Sequence, residues 1–112
     1  MNHRPVQISR TALLICALVL LFAGPVRAQD DAASVYKAKC VVCHAADGSG
    51  DTSAGKAMKV VDLRSPEVQK MTDAQLTEAT TNGKGKMPAY KDKLSADQIK
   101  GLVAYVRALA KK

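Results

Sequence analysis

The sequence predicts an all-α domain made of about three to five short helices joined by long loops. No stretch alternates apolar and polar residues between tight-turn residues, as a half-buried strand would. Helix start signals recur along the chain instead. Near the C-terminus, apolar residues fall on one face of a helix, at Ile99, Leu102, Val103 and Val106. We therefore expect a helical fold without a sheet.

Capping residues define four of the expected helices. Asp30 and Asp31 favour a helix start, and Ser65 followed by Pro66 has the order of an N-cap and a first helical residue. Thr72 with Gln75 has the capping-box spacing, and Ser95 precedes the amphipathic stretch. The predicted helices are 30–39, 65–70, 72–82 and 95–110, and the predicted loops are 45–55 and 82–93.

Residues 1–28 have the order of a secretory signal peptide. Arg4 and Arg10 precede an apolar run at 11–23, and Val26 and Ala28 are small residues at the −3 and −1 positions of a cleavage site. The apolar run is shorter than the about 20 residues that span a bilayer as a helix, so we favour cleavage over a retained anchor. The expected mature domain is 29–112, exported to the periplasm.

The net charge of the chain is +7, but three arginines of the signal segment contribute part of it. The mature domain keeps a net charge of +4, with its basic residues spread among acidic ones. This mild basicity argues against nucleic-acid binding and favours an acidic protein partner.

Aromatic residues are scarce in the mature domain, which has no Trp and no Phe and only Tyr36, Tyr90 and Tyr105. A domain of this size often needs a staple or a cofactor to complete its core. A large flat cofactor would supply the missing aromatic area.

The segment Cys40-Val41-Val42-Cys43-His44 has the C-x-x-C-H pattern of covalent haem attachment. Two thiols three positions apart can reach two vinyl groups of one porphyrin, and the adjacent histidine can offer a ring nitrogen to the iron. We expect one haem c, held by Cys40 and Cys43, with His44 as an axial ligand.

Three other chemistries use such cysteines. A structural zinc site needs four ligands, whereas the mature domain has two Cys and one His, because His3 and Cys16 lie in the signal segment. A thioredoxin-like pair would sit in a βαβ unit, which the sequence does not predict. A simple disulfide is possible in an exported protein, but it leaves the adjacent histidine and the scarcity of aromatic residues unexplained.

The second axial ligand is expected to be Met87. It lies in a Gly- and Lys-rich loop that can fold over a haem face, and Pro88 stiffens the approach. A thioether opposite histidine raises the reduction potential. Met58 and Met71 are interpreted as packing residues, the more common use of methionine.

On these residues the chain resembles the class I cytochromes c, in particular their short bacterial forms. The resemblance rests on C-x-x-C-H, on the Lys-Met-Pro-Ala-Tyr segment at 86–90 and on the C-terminal stretch 101–107. It implies a small cytochrome c fold, in which short helices wrap around one covalent haem and the first and last helices cross. The matching positions are Ala32, Tyr36, Leu102 and Tyr105. It also implies a carbonyl near Gly55-Lys56 that accepts the histidine ring N–H.

The resemblance further implies electron transfer rather than enzymatic catalysis, because two axial ligands leave no open position on the iron. A basic collar around Met87 would steer the haem edge toward an acidic patch; it consists of Lys84, Lys86, Lys91 and Lys93. The implied partners are a reductase or dehydrogenase as donor and an oxidase or other acceptor, with membrane contact only through partner complexes. Two alternatives stay open: a haem sensor or peroxidase-like enzyme without Met87 ligation, and a haem subunit of a larger dehydrogenase or oxidase complex.

Overall fold

The computed structural model describes the backbone of residues 26–112 and the side chains of residues 31–112. Most of the predicted signal segment lies outside these residues, so cleavage after Ala28 stays a prediction. None of the described helices is long and apolar enough to cross a membrane.

The described chain folds into six helices and contains no sheet. These are α1 (Val26–Lys39), α2 (Val41–His44), α3 (Ser53–Met58), α4 (Pro66–Gln69), α5 (Asp73–Asn82) and α6 (Ala96–Leu109). The all-α prediction is confirmed, and each of the four predicted helices has its counterpart. The number of described helices exceeds the three to five expected, because the short helices α2 and α3 were not predicted. Helix α3 begins inside the predicted loop 45–55.

The predicted caps are formed by the expected side chains. The Thr72 hydroxyl accepts the Gln75 N–H at 3.1 Å, and the Gln75 side chain accepts the Thr72 N–H at 2.8 Å. Ser95 and Gln98 form the same reciprocal pair at the start of α6. Each box satisfies backbone donors that the first helical turn leaves without partners, which explains why these helices begin at those residues.

The core lies where α1 crosses α6, the most extensive helix contact in the described chain. Tyr36 is 2% exposed, and its ring stacks on that of Tyr105 with centroids 4.8 Å apart. Ala32 and Leu102 are buried as well, so the expected crossing residues all lie at or beside this contact. The remaining buried apolar side chains of the cluster are Val35, Leu94, Ile99 and Leu109.

Arg107 joins the end of α6 to the junction of α4 and α5. Its guanidinium donates to the carbonyl oxygens of Gln69 and Met71 at 2.9 and 2.5 Å and to the Asp73 carboxylate at 2.8 Å. These charge-assisted bonds fix the start of α5. Because α5 leads directly into the Met87 loop, they also help to set where that loop begins.

Candidate haem site

The thiols and the histidine are presented by a single tight turn that continues from α1. The Cys40 N–H donates to the Tyr36 carbonyl at 2.9 Å, and the Cys40 carbonyl accepts the N–H groups of Cys43 and His44 at 3.2 and 2.9 Å. Both cysteines are free thiols and are partly buried. Because the turn is anchored on α1, its backbone is fixed relative to the buried core.

His44 is partly buried, and its ring nitrogen Nδ1 is buried without a hydrogen-bond partner. Burial lowers the pKa of the imidazole, so the ring is neutral at pH 7 and can coordinate a metal. A buried polar atom without a partner is unusual in a folded protein and often marks a functional group. The described residues contain no cluster of three His, Cys, Asp or Glu side chains that could hold a bare metal ion.

The expected histidine bond to the Gly55-Lys56 carbonyls is absent. The Lys59 N–H donates to both of these carbonyls, and the Gly55 carbonyl also accepts the Val60 N–H at 2.9 Å. Lys59 closes α3 in the left-handed conformation, with φ 54°, and this cap occupies the two carbonyls. The structure therefore does not show the expected bond, and Nδ1 bonds no other described residue.

Helix α3 packs closely at Gly55 against the turn formed by residues 40–44. A Cβ built at this position would lie 2.4 Å from the Cys43 carbonyl oxygen and 2.2 Å from that of Gly50. Only glycine permits this approach. The sequence indicates no role for this glycine beyond its carbonyl, because the Gly- and Ser-rich segment around it is typical of a loop.

Met87 is the last residue of a tight hairpin. The Lys84 N–H donates to the Met87 carbonyl at 3.2 Å, and the Met87 N–H donates to the Lys84 carbonyl at 3.0 Å. Gly85 takes a positive φ of 58° as the first of the two turn residues, which suits a type II′ turn. The N–H of Tyr90 then donates to the Thr80 carbonyl of α5 at 3.1 Å. The Met87 side chain, partly buried, is held on a defined backbone.

Tyr90 connects the Met87 loop to the turn that bears the cysteines. Its hydroxyl donates to the Lys39 carbonyl at 3.3 Å, one residue before Cys40. Burial raises the pKa of the Tyr90 hydroxyl, which keeps it protonated as a donor. From the sequence, Tyr90 was expected as part of the Met87 segment and as a candidate partner of the haem propionates, not as a partner of Lys39. A bond across fifty-one positions has no local sequence signal.

The collar lysines Lys84, Lys86, Lys91 and Lys93 are all exposed, and none is in an ion pair with another described residue. The Lys93 ammonium lies 5.6 Å from the centre of the Tyr90 ring. The exposed Asp92 lies among them and offsets one charge. The side of the molecule around Met87 is thus basic.

The residues fit a covalent haem. Two free thiols and a partly buried neutral imidazole share one turn, and a thioether lies in an ordered loop elsewhere. The chain also leaves large apolar side chains exposed that a flat apolar cofactor could cover. Val42 is 68% exposed, Val61 45% and Met58 37%. An all-helical domain with this donor set is a c-type cytochrome.

Comparisons with known proteins agree with this class. Residues 27–106 match the family described as cytochrome c oxidase, cbb3-type, subunit III. Cytochrome c6 of Leptolyngbya boryana is 40% identical over 78 residues, which cover 70% of this chain and 88% of that protein. Cytochrome c6 of Nostoc sp. is 37% identical over 101 residues, covering 88% of this chain and 87% of that protein.

A solved structure, the KustC0563 c-type cytochrome, matches with a TM-score of 0.66 and 30% identity, covering 70% of this chain and 96% of that chain. The chain belongs to the cytochrome c family, as a small class I member. It carries one covalent haem c and works as an electron carrier between redox partners, not as an enzyme.

Proposed function

We propose that the chain is an exported one-electron carrier in which Cys40 and Cys43 hold the haem and His44 and Met87 ligate its iron. The observation that carries this assignment is the single turn that presents both thiols beside a partly buried, neutral imidazole whose Nδ1 has no hydrogen-bond partner. When bound, the haem supplies a ferric–ferrous couple.

Each of the four side chains has a separate task. The thioethers of Cys40 and Cys43 make the haem part of the chain, so it is not lost outside the cell. Neutral His44 would offer a ring nitrogen to the iron, and the burial that lowers its pKa favours this unprotonated form. Met87, at the end of its hairpin, closes the second axial position with a soft thioether, which favours the ferrous state and raises the potential.

The basic collar is proposed to bind acidic partner surfaces. Four exposed lysines without ion pairs among the described residues leave a positive field beside Met87. Such a field speeds association and is screened over about 10 Å at 0.1 M salt. Transfer to a partner should slow as salt rises, and replacing all four lysines by Gln should flatten that dependence. A salt profile that does not change would contradict the docking role.

The proposed compartment is the periplasm, reached after cleavage at Ala28. The proposed donor is a reductase or dehydrogenase and the proposed acceptor an oxidase or other electron-accepting protein. Mass spectrometry of the exported protein should give residues 29–112 plus one haem that survives denaturation. Haem extracted by acidified organic solvent would contradict covalent attachment.

A second candidate function is that of a haem subunit inside an oxidase complex, since the matching family is described as an oxidase subunit. Isolation under mild conditions separates the two functions. A free carrier elutes alone at the size of the mature domain, whereas a subunit elutes with a large catalytic partner.

The decisive experiment replaces Met87 by Ala. The ferric charge-transfer band of thioether-ligated iron should vanish, the potential should fall, and the reduced protein should bind carbon monoxide readily. Met58→Leu and Met71→Leu are the matched controls and should change none of these properties. If Met87→Ala keeps the band and the potential, another residue ligates the iron. Fast carbon monoxide binding by the wild type would favour a sensor or enzyme.

A further inference from the structure

Thr52 lies beside the haem-binding turn, and its hydroxyl makes three hydrogen bonds. It accepts the Gly55 N–H at 2.8 Å, which caps the start of α3. It also lies 2.9 Å from the Val42 carbonyl oxygen and 3.3 Å from that of Cys43. A hydroxyl has one proton, so it donates a shared bond to these two carbonyls, with the shorter branch to Val42.

These two carbonyls are the ones that the turn itself leaves without partners. Within α2 and its flanks, the Cys40 carbonyl accepts from Cys43 and His44, and the Val41 carbonyl accepts from Ala45. The His44 carbonyl accepts the Gly50 N–H at 2.8 Å. The Val42 and Cys43 carbonyls at the end of this one-turn helix are supplied by the Thr52 side chain alone among the described contacts.

We propose that Thr52 is a positioning residue for His44. By bonding the carbonyls that immediately precede His44, its hydroxyl fixes the end of the turn and thereby the orientation of the imidazole. Because His44 Nδ1 has no partner of its own, the ring depends on its backbone for orientation. Outer contacts that orient a metal-ligating histidine tune the metal. This role rests on the proposed assignment of His44 as an axial ligand.

The chain offers a matched control for the capping function. Thr72 is also a helix N-cap whose hydroxyl accepts a backbone N–H, from Gln75 at 3.1 Å, but among the described hydrogen bonds it has none to the turn 41–44. Thr→Val at either position removes a hydroxyl from a side chain of nearly the same shape. Both changes weaken a cap by about 1 kcal/mol, and only the one at Thr52 acts on His44.

The test compares holoproteins carrying Thr52→Val, Thr52→Ser and Thr72→Val with the wild type. The readouts are the midpoint potential and the hyperfine-shifted proton resonances of the ferric haem and His44, which report the orientation of the ligand ring. Thr52→Val should move these resonances and change the reduced-to-oxidised ratio at a fixed ambient potential by roughly threefold, the scale of one net hydrogen bond. Thr52→Ser should restore both readouts, and Thr72→Val should leave both unchanged.

The outcomes separate this role from the assignment on which it rests. If the wild type shows histidine resonances and Thr52→Val only lowers the unfolding temperature, Thr52 is a structural cap and the positioning role is wrong. If Thr72→Val shifts the potential as much as Thr52→Val does, a general loss of stability explains the effect, which also overturns the role. A wild type without axial histidine resonances contradicts the proposed function itself.

Discussion

Two regions of this small protein are stabilised in different ways. The crossing of α1 and α6 buries apolar side chains against one another, with Tyr36, Ile99 and Leu102 each less than 5% exposed. The haem side, formed by residues 40–61 and the Met87 loop, has few buried apolar side chains and leaves Val42 and Val61 exposed. Its shape is set by backbone hydrogen bonds, caps and glycines instead.

The difference follows from what each region does. Burying apolar area stabilises a fold without fixing individual atoms closely, whereas ligation of one iron atom needs side chains at defined positions. Hydrogen bonds are directional, so the bonds of Thr52 and of the Lys84–Met87 pair define the backbone of the turns that carry the proposed ligands. The crossing thus stabilises the fold, and the hydrogen bonds of the haem side define the course of its backbone.

The largest expected effect tests whether the crossing suffices without the covalent haem. The double variant Cys40→Ala, Cys43→Ala cannot attach haem, so the exposed apolar side chains of the haem side have no covalently held cofactor to pack against. The small core also lacks aromatic area. We expect a largely disordered chain by circular dichroism. A cooperative thermal transition in this variant would show that the crossing folds on its own.

A smaller loss should follow from a cavity in the crossing. Leu102 is 4% exposed, so Leu102→Ala should lower the free energy of unfolding by about 2–5 kcal/mol. The haem spectrum of the folded fraction should stay as in the wild type, because no ligand lies on α6. Val61→Ala, at a side chain 45% exposed, should cost less than about 1 kcal/mol. Equal losses in guanidinium unfolding would remove the contrast between the two regions.

The two regions also differ in how far the sequence predicts them. Helix α6 follows from periodic apolar residues and from its Ser95 cap, local signals that the structure confirms. Its crossing with α1 was implied by the resemblance to the class I cytochromes c. The thiols, the histidine and the methionine were predicted as haem ligands from motif chemistry, and their assignment stays a prediction. This prediction, too, rests on short sequence motifs and needs no knowledge of the packed fold.

The supporting contacts of the haem side were not predicted, for physical reasons. Helix α3 has a Thr N-cap but only six residues rich in small side chains, so its composition resembles a loop. The bond from Tyr90 to the Lys39 carbonyl and those from Arg107 to the α4–α5 junction join residues more than thirty positions apart. Such contacts depend on the packed fold, and no spacing rule reveals them.

Gly83 allows a test confined to the haem side. Its φ is +79°, and a Cβ there would lie 2.7 Å from the Met87 carbonyl oxygen and 3.0 Å from the Ala89 nitrogen. Gly85 also has a positive φ, but a Cβ there would meet nothing within 4 Å. Both glycine-to-alanine changes should cost about 1–2 kcal/mol from backbone strain.

Only Gly83→Ala should also displace Met87. We expect its ferric charge-transfer band to weaken or vanish and carbon monoxide binding to accelerate, whereas Gly85→Ala should keep the wild-type spectrum. Optical titration of both holoproteins measures this. Identical spectra in the two variants would mean that the contact of Gly83 with Met87 does not hold the loop in place.

The smallest expected effect concerns Tyr36, which belongs to both regions. Its ring stacks on Tyr105 in the crossing, and its hydroxyl donates at 2.8 Å to the carbonyl of Ala45, the residue after His44. Ala45 has a positive φ of 63°, unusual for a residue other than glycine, so this bond secures a strained position. Tyr36→Phe should keep the stacking and cost about 1 kcal/mol at neutral pH.

The pH dependence of that loss separates the hydroxyl from the ring. Burial raises the pKa of Tyr36 above its ordinary value, so the folded protein holds this proton more tightly than the unfolded chain. The stabilisation is therefore complete below about pH 10, the ordinary tyrosine pKa, and declines as pH rises above it. Guanidinium unfolding of wild type and Tyr36→Phe between neutral and alkaline pH should show the difference shrinking. Tyr105→Phe, which removes a hydroxyl with no hydrogen bond among the described residues, should cost less at neutral pH. If Tyr36→Phe costs nothing at neutral pH, the hydroxyl contributes nothing and the tyrosine joins the two regions only through its ring.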